Sequence, residues 1–375
     1  MVESIARLLE KGGQEVRFLR RSSAEIPHLP FGRTRAFLNG IYSDSSRREV
    51  QALVREYRPD VVHIHNLYPF ISPWILRDFR SAGVPVVMTL HNYRLVCPNG
   101  LCLSHHEVCE RCAGGREYWC VLRNCEGHLA KSFGYALRNW VARQARLYLD
   151  NVALYTSPTL FLRDWLSKWG VPADRIRILP NMNSVGGEIA TDSPGNYVGF
   201  VGRLSPEKGV EVLLEAARQC PEIEFRVAGD DLLAGDLKRR ASGNVRFVGK
   251  QGREDLQAFY ANARMVVAPS LFYEGFPLVI VEAMVQGRPM VCSRIGGLTE
   301  IVEDGKTGFC FTPGDAGELA SRVRRLWLDP SLCRQLGEAG REKALREYAP
   351  GRYYDSLMRI YREAIEGTLS RANDV

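Results

Sequence analysis

Short apolar runs of strand length alternate along this chain with stretches of helical period. The strand-like runs are EVRFL (15–19), DVVHIH (60–65), VPVVMTLH (84–91) and NVALYT (151–156), then YVGFVG (197–202), IEFRVAG (223–229), VRFVG (245–249) and RMVVAPS (264–270). Alternation of this kind predicts parallel sheets with helices on both faces, the α/β class. The segment 179–196 is rich in Gly, Asn, Ser and Pro, shows no clear period, and divides the pattern into two doubly wound domains. Residues 2–13 read as a helix closed by Gly12 and Gly13. A last amphipathic pattern fills 353–367. Neither internal repeats nor low-complexity tracts are visible.

In open α/β sheets ligands bind at the carboxyl ends of the strands. His65 with Asn66, His91 with Asn92, and Arg203 stand at such ends. A histidine at a strand end is more often a structural residue than a catalyst, so the pattern alone decides nothing for His65 and His91. The segment Glu274 to Glu282 says more. Its Gly275, Phe276 and Pro277 lead into a helix that Leu278, Val279, Ile280, Val281, Ala283 and Met284 make apolar around most of its circumference. Glu282 therefore falls where an unpaired carboxylate is costly, and a ligand's hydroxyl groups are one candidate partner. Strand, loop and helix start together form an anion site, because the first helical amides lack partners and the dipole is positive there. The same order recurs at 197–217, where Gly202 and Arg203 end a strand and Lys208 precedes a helix. A lone cation after a strand is ordinarily a solvated loop residue, and two Glu eight apart arise by chance. Two cations and two helix starts together suit a diphosphate, at roughly 4 kcal/mol per cation–phosphate contact at 4 Å and an effective dielectric near 20.

The runs FVGRLSPEKGV, FVGK and LFYEGFPLVIVEAMVQGRPMVCSRIGGLTEIVEDGKTGFCF resemble the nucleotide-sugar half of the group 1 (family 4) retaining glycosyltransferases of GT-B fold; DVVHIHN, TLHNYRLVCPNG and ILPNMNS resemble the other half in order. The resemblance implies two Rossmann-like domains facing a cleft. An acceptor-binding domain would span 1–182 and a nucleotide-sugar domain 183–350, with a helix at 351–375 returning to the first. Arg203 and Lys208 are similar to the pair gripping the donor diphosphate. Glu274 resembles the carboxylate beside the transferred sugar, Glu282 the one on the ribose, and His91 a residue near the reacting centre. Backbone at Gly202, Val248, Gly249, Gly275, Phe276 and Leu278 would complete the donor site, while His65 and Tyr68 fall on the acceptor side. The implied reaction moves a sugar from a nucleotide-diphosphate donor to an acceptor hydroxyl, with same-face attack and retention. No Asp-x-Asp motif for a divalent cation is present, so no catalytic cofactor is expected. A glycan or lipid-linked acceptor in polysaccharide or glycolipid synthesis is the expected partner. A sugar-nucleotide epimerase and a non-catalytic nucleotide-sugar binder are the alternatives. The family has a strand and a glycine-rich loop before the first helix that this sequence lacks, which places the expected start about 25 residues upstream.

Composition bounds these readings. With 375 residues the chain has room for two cored domains, and 45% hydrophobic and 25% charged residues are ordinary for a globular protein. No apolar run reaches the ~18 residues of a membrane helix and no signal peptide opens the sequence, so a cytoplasmic location is expected. Of the net charge of +7, the first 185 residues carry +9 and the rest −2. The basic half reads either as a solvated surface or as attraction to anionic lipid on the inner face of a membrane. No nucleic-acid module is recognisable.

Six of the ten cysteines lie between 97 and 125. Cys109 and Cys112, then Cys120 and Cys125, have the paired spacing of a tetrahedral thiolate zinc site, with Cys97 as an alternative to Cys120 and His105 or His106 as further candidates. Reduced buried thiols and disulfides are the other readings.

Overall fold

Parallel sheets form in both halves of the chain, in a computed structural model that describes residues 1–22, 32–68, 70–183, 195–230 and 234–373. The chain divides into two compact units. The first is Met1–His105, Cys109–Leu179 and Tyr354–Val375; the second is Pro180–Tyr353 with His106–Val108. The divide expected from composition, 179–196, lies largely outside the described residues.

In the first unit four strands, β1 (Val62–Ile64), β2 (Val86–Thr89), β3 (Leu154–Ser157) and β4 (Ile176–Ile178), stand in that order, all parallel. Burial is complete along β2 and β3, as expected for strands covered on both faces. The run 15–19 forms no strand, contrary to its apolar pattern. Alternating side chains do not suffice for a strand, because its amides need a ladder partner; none of the described residues pairs with 15–19, Phe18 is 39% exposed, and β1 is a sheet edge. Strand β4 is passed over in the sequence because Arg175 and Arg177 alternate with Ile176 and Ile178 in place of a continuous apolar run.

The final helix, Pro350–Asn373, joins this unit from Tyr354 onward. Tyr361 supplies a hydroxyl to His63 Nδ1 at 2.8 Å, the other ring nitrogen meets Thr89 Oγ1 at 2.7 Å, and Glu363 pairs with Arg177. His63 thus ties β1, β2 and the last helix together as a neutral ring, its pKa lowered to about 3 by burial and by neighbouring His91.

The second unit is a six-stranded parallel sheet of β5 (Val198–Val201), β6 (Phe225–Ala228), β7 (Val245–Gly249), β8 (Met265–Ala268), β9 (Met290–Ser293) and β10 (Gly308–Phe311), in the order β10-β9-β8-β5-β6-β7. The runs at β9 and β10 are only four residues long, between Pro289 and Arg294 and between Thr307 and Pro313, and the sequence reading passes over them. The chain winds one way from β5 to β7 and the other way from β8 to β10. The crevice beyond the carboxyl ends of β5 and β8 is therefore the switch point at which open sheets bind ligands. One core packs Val198, Phe200, Phe225, Val227, Val291 and Phe311 under the flanking helices, and a second packs Val266, Ile280, Val281, Met284, Met290 and Cys310 on the opposite face.

His63 carries a pH dependence. An unfolded histidine titrates near 6.5. Between about 6.5 and about 3 the unfolded chain takes up a proton that folded His63 refuses, so stability is full above pH 6.5 and falls as pH is lowered through that window. Urea midpoints measured from pH 7.5 to 5 should fall less steeply for His63→Asn than for the unaltered chain; parallel slopes would contradict the assignment.

Candidate functional site

The loops after β5 and β8 are locked together by backbone. Gly209 lies in the left-handed region at φ 70°, and a Cβ there would stand 1.8 Å from the Pro269 carbonyl oxygen. Only glycine allows that approach. The Leu271 amide donates to the Glu207 carbonyl at 2.9 Å. Held this way, Lys208 Nζ reaches Glu274 Oε1 at 2.6 Å, and Ser270 Oγ donates to the same oxygen at 2.7 Å. The Lys208 side chain is 20% exposed and that of Glu274 8%. From the other side, the Gly297 amide donates to the Glu274 carbonyl at 2.8 Å, and Gly296, at φ 57°, lies so close that a Cβ would come within 2.8 Å of that oxygen.

Arg203, at the end of β5, gives Nη2 to Glu207 Oε1 at 3.0 Å, and Ser205 donates to the same oxygen at 2.6 Å. Glu207 is buried while the Arg203 side chain is 63% exposed. The guanidinium is thus steered by a buried acid yet open to a ligand. Arg203, Lys208 and Glu274 are brought to one end of the sheet, as expected. Each cation has a carboxylate partner, which the sequence reading did not foresee.

The helix after β8 is Leu278–Val285, with Pro277 before it and no side chain capping its first turn. The Ile280 amide turns back to the Pro277 carbonyl at 3.2 Å, whereas the amides of Leu278 and Val279 precede any intrahelical acceptor and are available to an anion. Gly275 and Phe276 lead into it, and the Phe276 ring packs edge-on against Tyr348 at 5.3 Å. Glu282 does have a polar partner within the chain. Tyr260 Oη donates to Glu282 Oε2 at 2.9 Å, so the polar partner expected for this acid is supplied by a residue of the chain. Burial still pushes the Glu282 carboxyl up, against the Tyr260 hydrogen bond and the Arg253 charge. Gly202 donates its amide to the Ala228 carbonyl at 3.1 Å, so the end of β5 stays in the sheet. At the end of β7, Gly249 takes φ 74° and its carbonyl accepts from the Gly229 amide at 2.9 Å. The Val248 carbonyl accepts from Gln251 Nε2 at 2.7 Å.

In the first unit a pocket opens beyond β1 and β2, lined among others by His65, Tyr68, His91, Asn92, Arg94 and Tyr148. His65 Nδ1 and His91 Nε2 share a hydrogen bond of 2.9 Å, their rings stacked with centroids 5.2 Å apart. Burial holds both neutral, His65 pulled down to about 2 and His91 to about 4. As neutral rings they offer hydrogen bonds rather than charge. Tyr68 accepts from the Tyr148 hydroxyl at 3.0 Å.

All ten cysteines are free thiols, the reduced state that was one of the three readings of the 97–125 cluster. Among the described residues no three His, Cys, Asp or Glu side chains gather as a metal-binding group. Cys120 neighbours Cys125, and Cys112 packs with Cys120 and Ala136 in a small apolar core. Cys97 donates to Asn99 Oδ1 at 3.0 Å and neighbours Cys102, while the Cys109 amide is tied to the Cys102 carbonyl at 2.7 Å. His105 and His106 sit in left-handed backbone, His105 Nδ1 lying 3.4 Å from Arg123. Glu207, Ser270 and Tyr260 are the polar residues that sequence reasoning missed. Glu207 stands inside SPEKG beside Lys208, whereas Tyr260 offers no local signal, being one more aromatic on the helix Arg253–Asn262.

Comparison with known proteins agrees in both halves. The family model for glycosyl transferases group 1 matches residues 187–343, and that for a glycosyl transferase 4-like domain matches 2–182. The chain is 34% identical over 173 residues to the α-D-kanosaminyltransferase of Streptomyces kanamyceticus, which covers 44% of this chain and 45% of that protein. It thus spans less than half the length of that relative. It is 28% identical over 335 residues to glycogen synthase of Mycobacterium tuberculosis, covering 84% of this chain and 71% of that one. Among solved structures, sucrose-phosphate synthase from Thermosynechococcus elongatus superposes with a TM-score of 0.72 at 20% identity, over 98% of this chain and 93% of its own. The Anabaena protein HepE, in complex with UDP and glucose, does so with 0.63 at 20% identity, over 84% and 80%. These likenesses give the two parallel-sheet units the GT-B fold. With a 4-like model on the first half, a group 1 model on the second and the clasped Arg203, Lys208 and Glu274 between β5 and β8, the chain belongs to the group 1 glycosyltransferases.

Proposed function

We propose that the chain transfers a sugar, with retention, from a nucleotide-diphosphate donor to a hydroxyl of a glycan or lipid-linked acceptor. The observation that carries this reading is the Lys208–Glu274 contact of 2.6 Å at the switch point of the second sheet, beside Arg203 and the uncapped helix start at Leu278. Departure of the diphosphate builds negative charge on its oxygens. Arg203, Lys208 and the first amides of the helix are fixed donors aimed at that charge, which is the most effective form of transition-state stabilisation. When the diphosphate engages Lys208, Glu274 exchanges its ammonium partner for the hydroxyl groups of the sugar. Glu282, held by Tyr260, takes the ribose hydroxyls. That HepE is seen with UDP and glucose supports a donor of this chemical class.

His91 and His65 supply neutral hydrogen-bonding groups on the acceptor unit, with same-face attack leaving the departing phosphate to take the acceptor proton. This reading assigns no cofactor to the chemistry. No helix among the described residues is long and apolar enough to cross a membrane. The +9 charge of the first 185 residues supports peripheral attachment to anionic lipid, where a lipid-linked acceptor would be met.

The test is turnover against a panel of nucleotide sugars. Lys208→Ala should cost about 2–4 kcal/mol of transition-state stabilisation, a loss of roughly 30- to 900-fold in kcat/KM. Glu274→Gln should depress kcat strongly, whereas Glu282→Ala should raise KM for the donor with kcat nearly kept; unaltered kinetics in both would sink the assignment. Tyr260→Phe, which strips a buried acid of its donor, should lower the unfolding free energy by about 1.5–3 kcal/mol in denaturant titration. Glu282→Gln in that background should recover part of the loss.

A further inference from the structure

Two guanidinium groups in the first unit lack the acidic partner that Arg203 and Lys208 possess. Arg94 lines the pocket beyond β1 and β2 with Tyr68, His65 and His91. Among the described residues its guanidinium makes no ion pair and no hydrogen bond, and its Nε is buried without a partner. Arg138 is 6% exposed and its Nε is likewise buried and unpartnered. Its Nη2 reaches only the Pro98 carbonyl at 3.0 Å and Asn139 Oδ1 at 3.4 Å.

The surroundings are π faces and phenols. The Arg138 guanidinium carbon lies 3.8 Å from the ring centroid of Tyr68 and 4.5 Å from that of Tyr135, and the Arg94 carbon lies 6.0 Å from the Tyr68 centroid. The ionisable groups facing Arg94 are Arg138, Tyr135, Tyr68 and Tyr148; burial first and the like charge of Arg138 second lower its pKa. An arginine stays charged in spite of such a shift. Two desolvated positive charges without an acid are costly to hold. Ring faces return about 0.5–2 kcal/mol each, which does not settle a charge of two.

The backbone holds Arg94 ready. Its amide donates to Asn92 Oδ1 at 3.0 Å and its carbonyl accepts from Asn139 Nδ2 at 2.6 Å. Tyr148 gives its hydroxyl proton to Tyr68 at 3.0 Å, so the Tyr68 oxygen is already an acceptor and its own proton is free to be donated into the pocket. A guanidinium fork and a phenol donor at one end of an open pocket match the oxygens of a phosphate. A dianion also balances the charge of the arginine pair.

We propose that this end of the pocket is an oxyanion subsite for a phosphate group carried by the acceptor, with Arg94 and Tyr68 as its ligands and Arg138 fixing the Tyr68 ring and adding charge. The proposal rests on the sugar-transfer reading above and deepens it: the acceptor is a phosphate ester or a phosphate-bearing lipid, not a neutral glycan alone.

The experiment uses the full chain with its donor site filled by saturating UDP, so that phosphate is not taken up beside Arg203 and Lys208. Glycerol 3-phosphate is titrated by calorimetry, and cosedimentation is measured with phosphatidylcholine vesicles with and without phosphatidic acid. Glycerol 3-phosphate, phosphatidic acid vesicles or both should bind, with affinity at least tenfold lower in Arg94→Met and partly retained in Arg94→Lys. UDP affinity should be equal in all three proteins, which shows that the variants are folded. Binding of the soluble ester alone assigns the phosphate to a small acceptor, and binding of vesicles alone assigns it to a lipid headgroup. Failure of both probes on the UDP-loaded chain, or unchanged affinity in Arg94→Met, overturns the proposal. If UDP itself gives no heat while phosphate binding still depends on Arg94, the donor reading falls and the subsite stands.

Discussion

The bond between Lys208 and Glu274 is the constraint around which the second unit is arranged. An acid as buried as Glu274 tolerates its charge only with a cation and a second donor at hand, and Lys208 and Ser270 meet it on one oxygen. That contact joins segments 66 residues apart. It requires the β5 and β8 loops to touch, which explains why Gly209 must stand where any Cβ would strike the Pro269 carbonyl. It also requires the loop at Gly296 to close over the Glu274 backbone. The pair is therefore not a surface decoration of the kind that contributes little. On the proposed reading, a donor that inserts between the two partners meets both side chains already in place.

How much of this was legible in one dimension follows from the range of each interaction. The fold class was legible because parallel strands buried on both faces write their own continuous apolar runs, as in MVVA at 265–268. Arg203, Lys208 and Glu274 were legible because strand ends followed by glycine and a helix start are local. The run 15–19 misled because a strand is completed by a neighbour, and no local pattern reports whether one pairs with it. Tyr260 escaped because nothing in Arg253–Asn262 signals that its hydroxyl crosses to a carboxylate on the next helix. The cysteine spacing reported a cluster but not its geometry. The backbone between them turns tightly, with left-handed residues at Cys102, His105, His106 and Asn124, so that Cys97 meets Cys102 while Cys112 packs with Cys120 beside Cys125.

Buried charge is met in two ways at the two candidate sites, and the difference bears on what each binds. In the second unit Lys208 meets Glu274, and Lys343, 7% exposed at its side chain, meets Glu303 at 2.8 Å. In the first, Arg94 and Arg138 face only phenols, ring faces and backbone carbonyls. Desolvation costs are similar for any cation, so the absence of an acid beside two of them leaves an electrostatic deficit that the protein does not repair from its own residues. Where a cation has its own acid, an incoming anion must displace a bond already made, and the exchange is nearly balanced. A cation without one gives the anion its full interaction. The same phosphate charge thus gains more at Arg94 than at Lys208 for equal contact, which suits a subsite that must retain its ligand rather than release a leaving group.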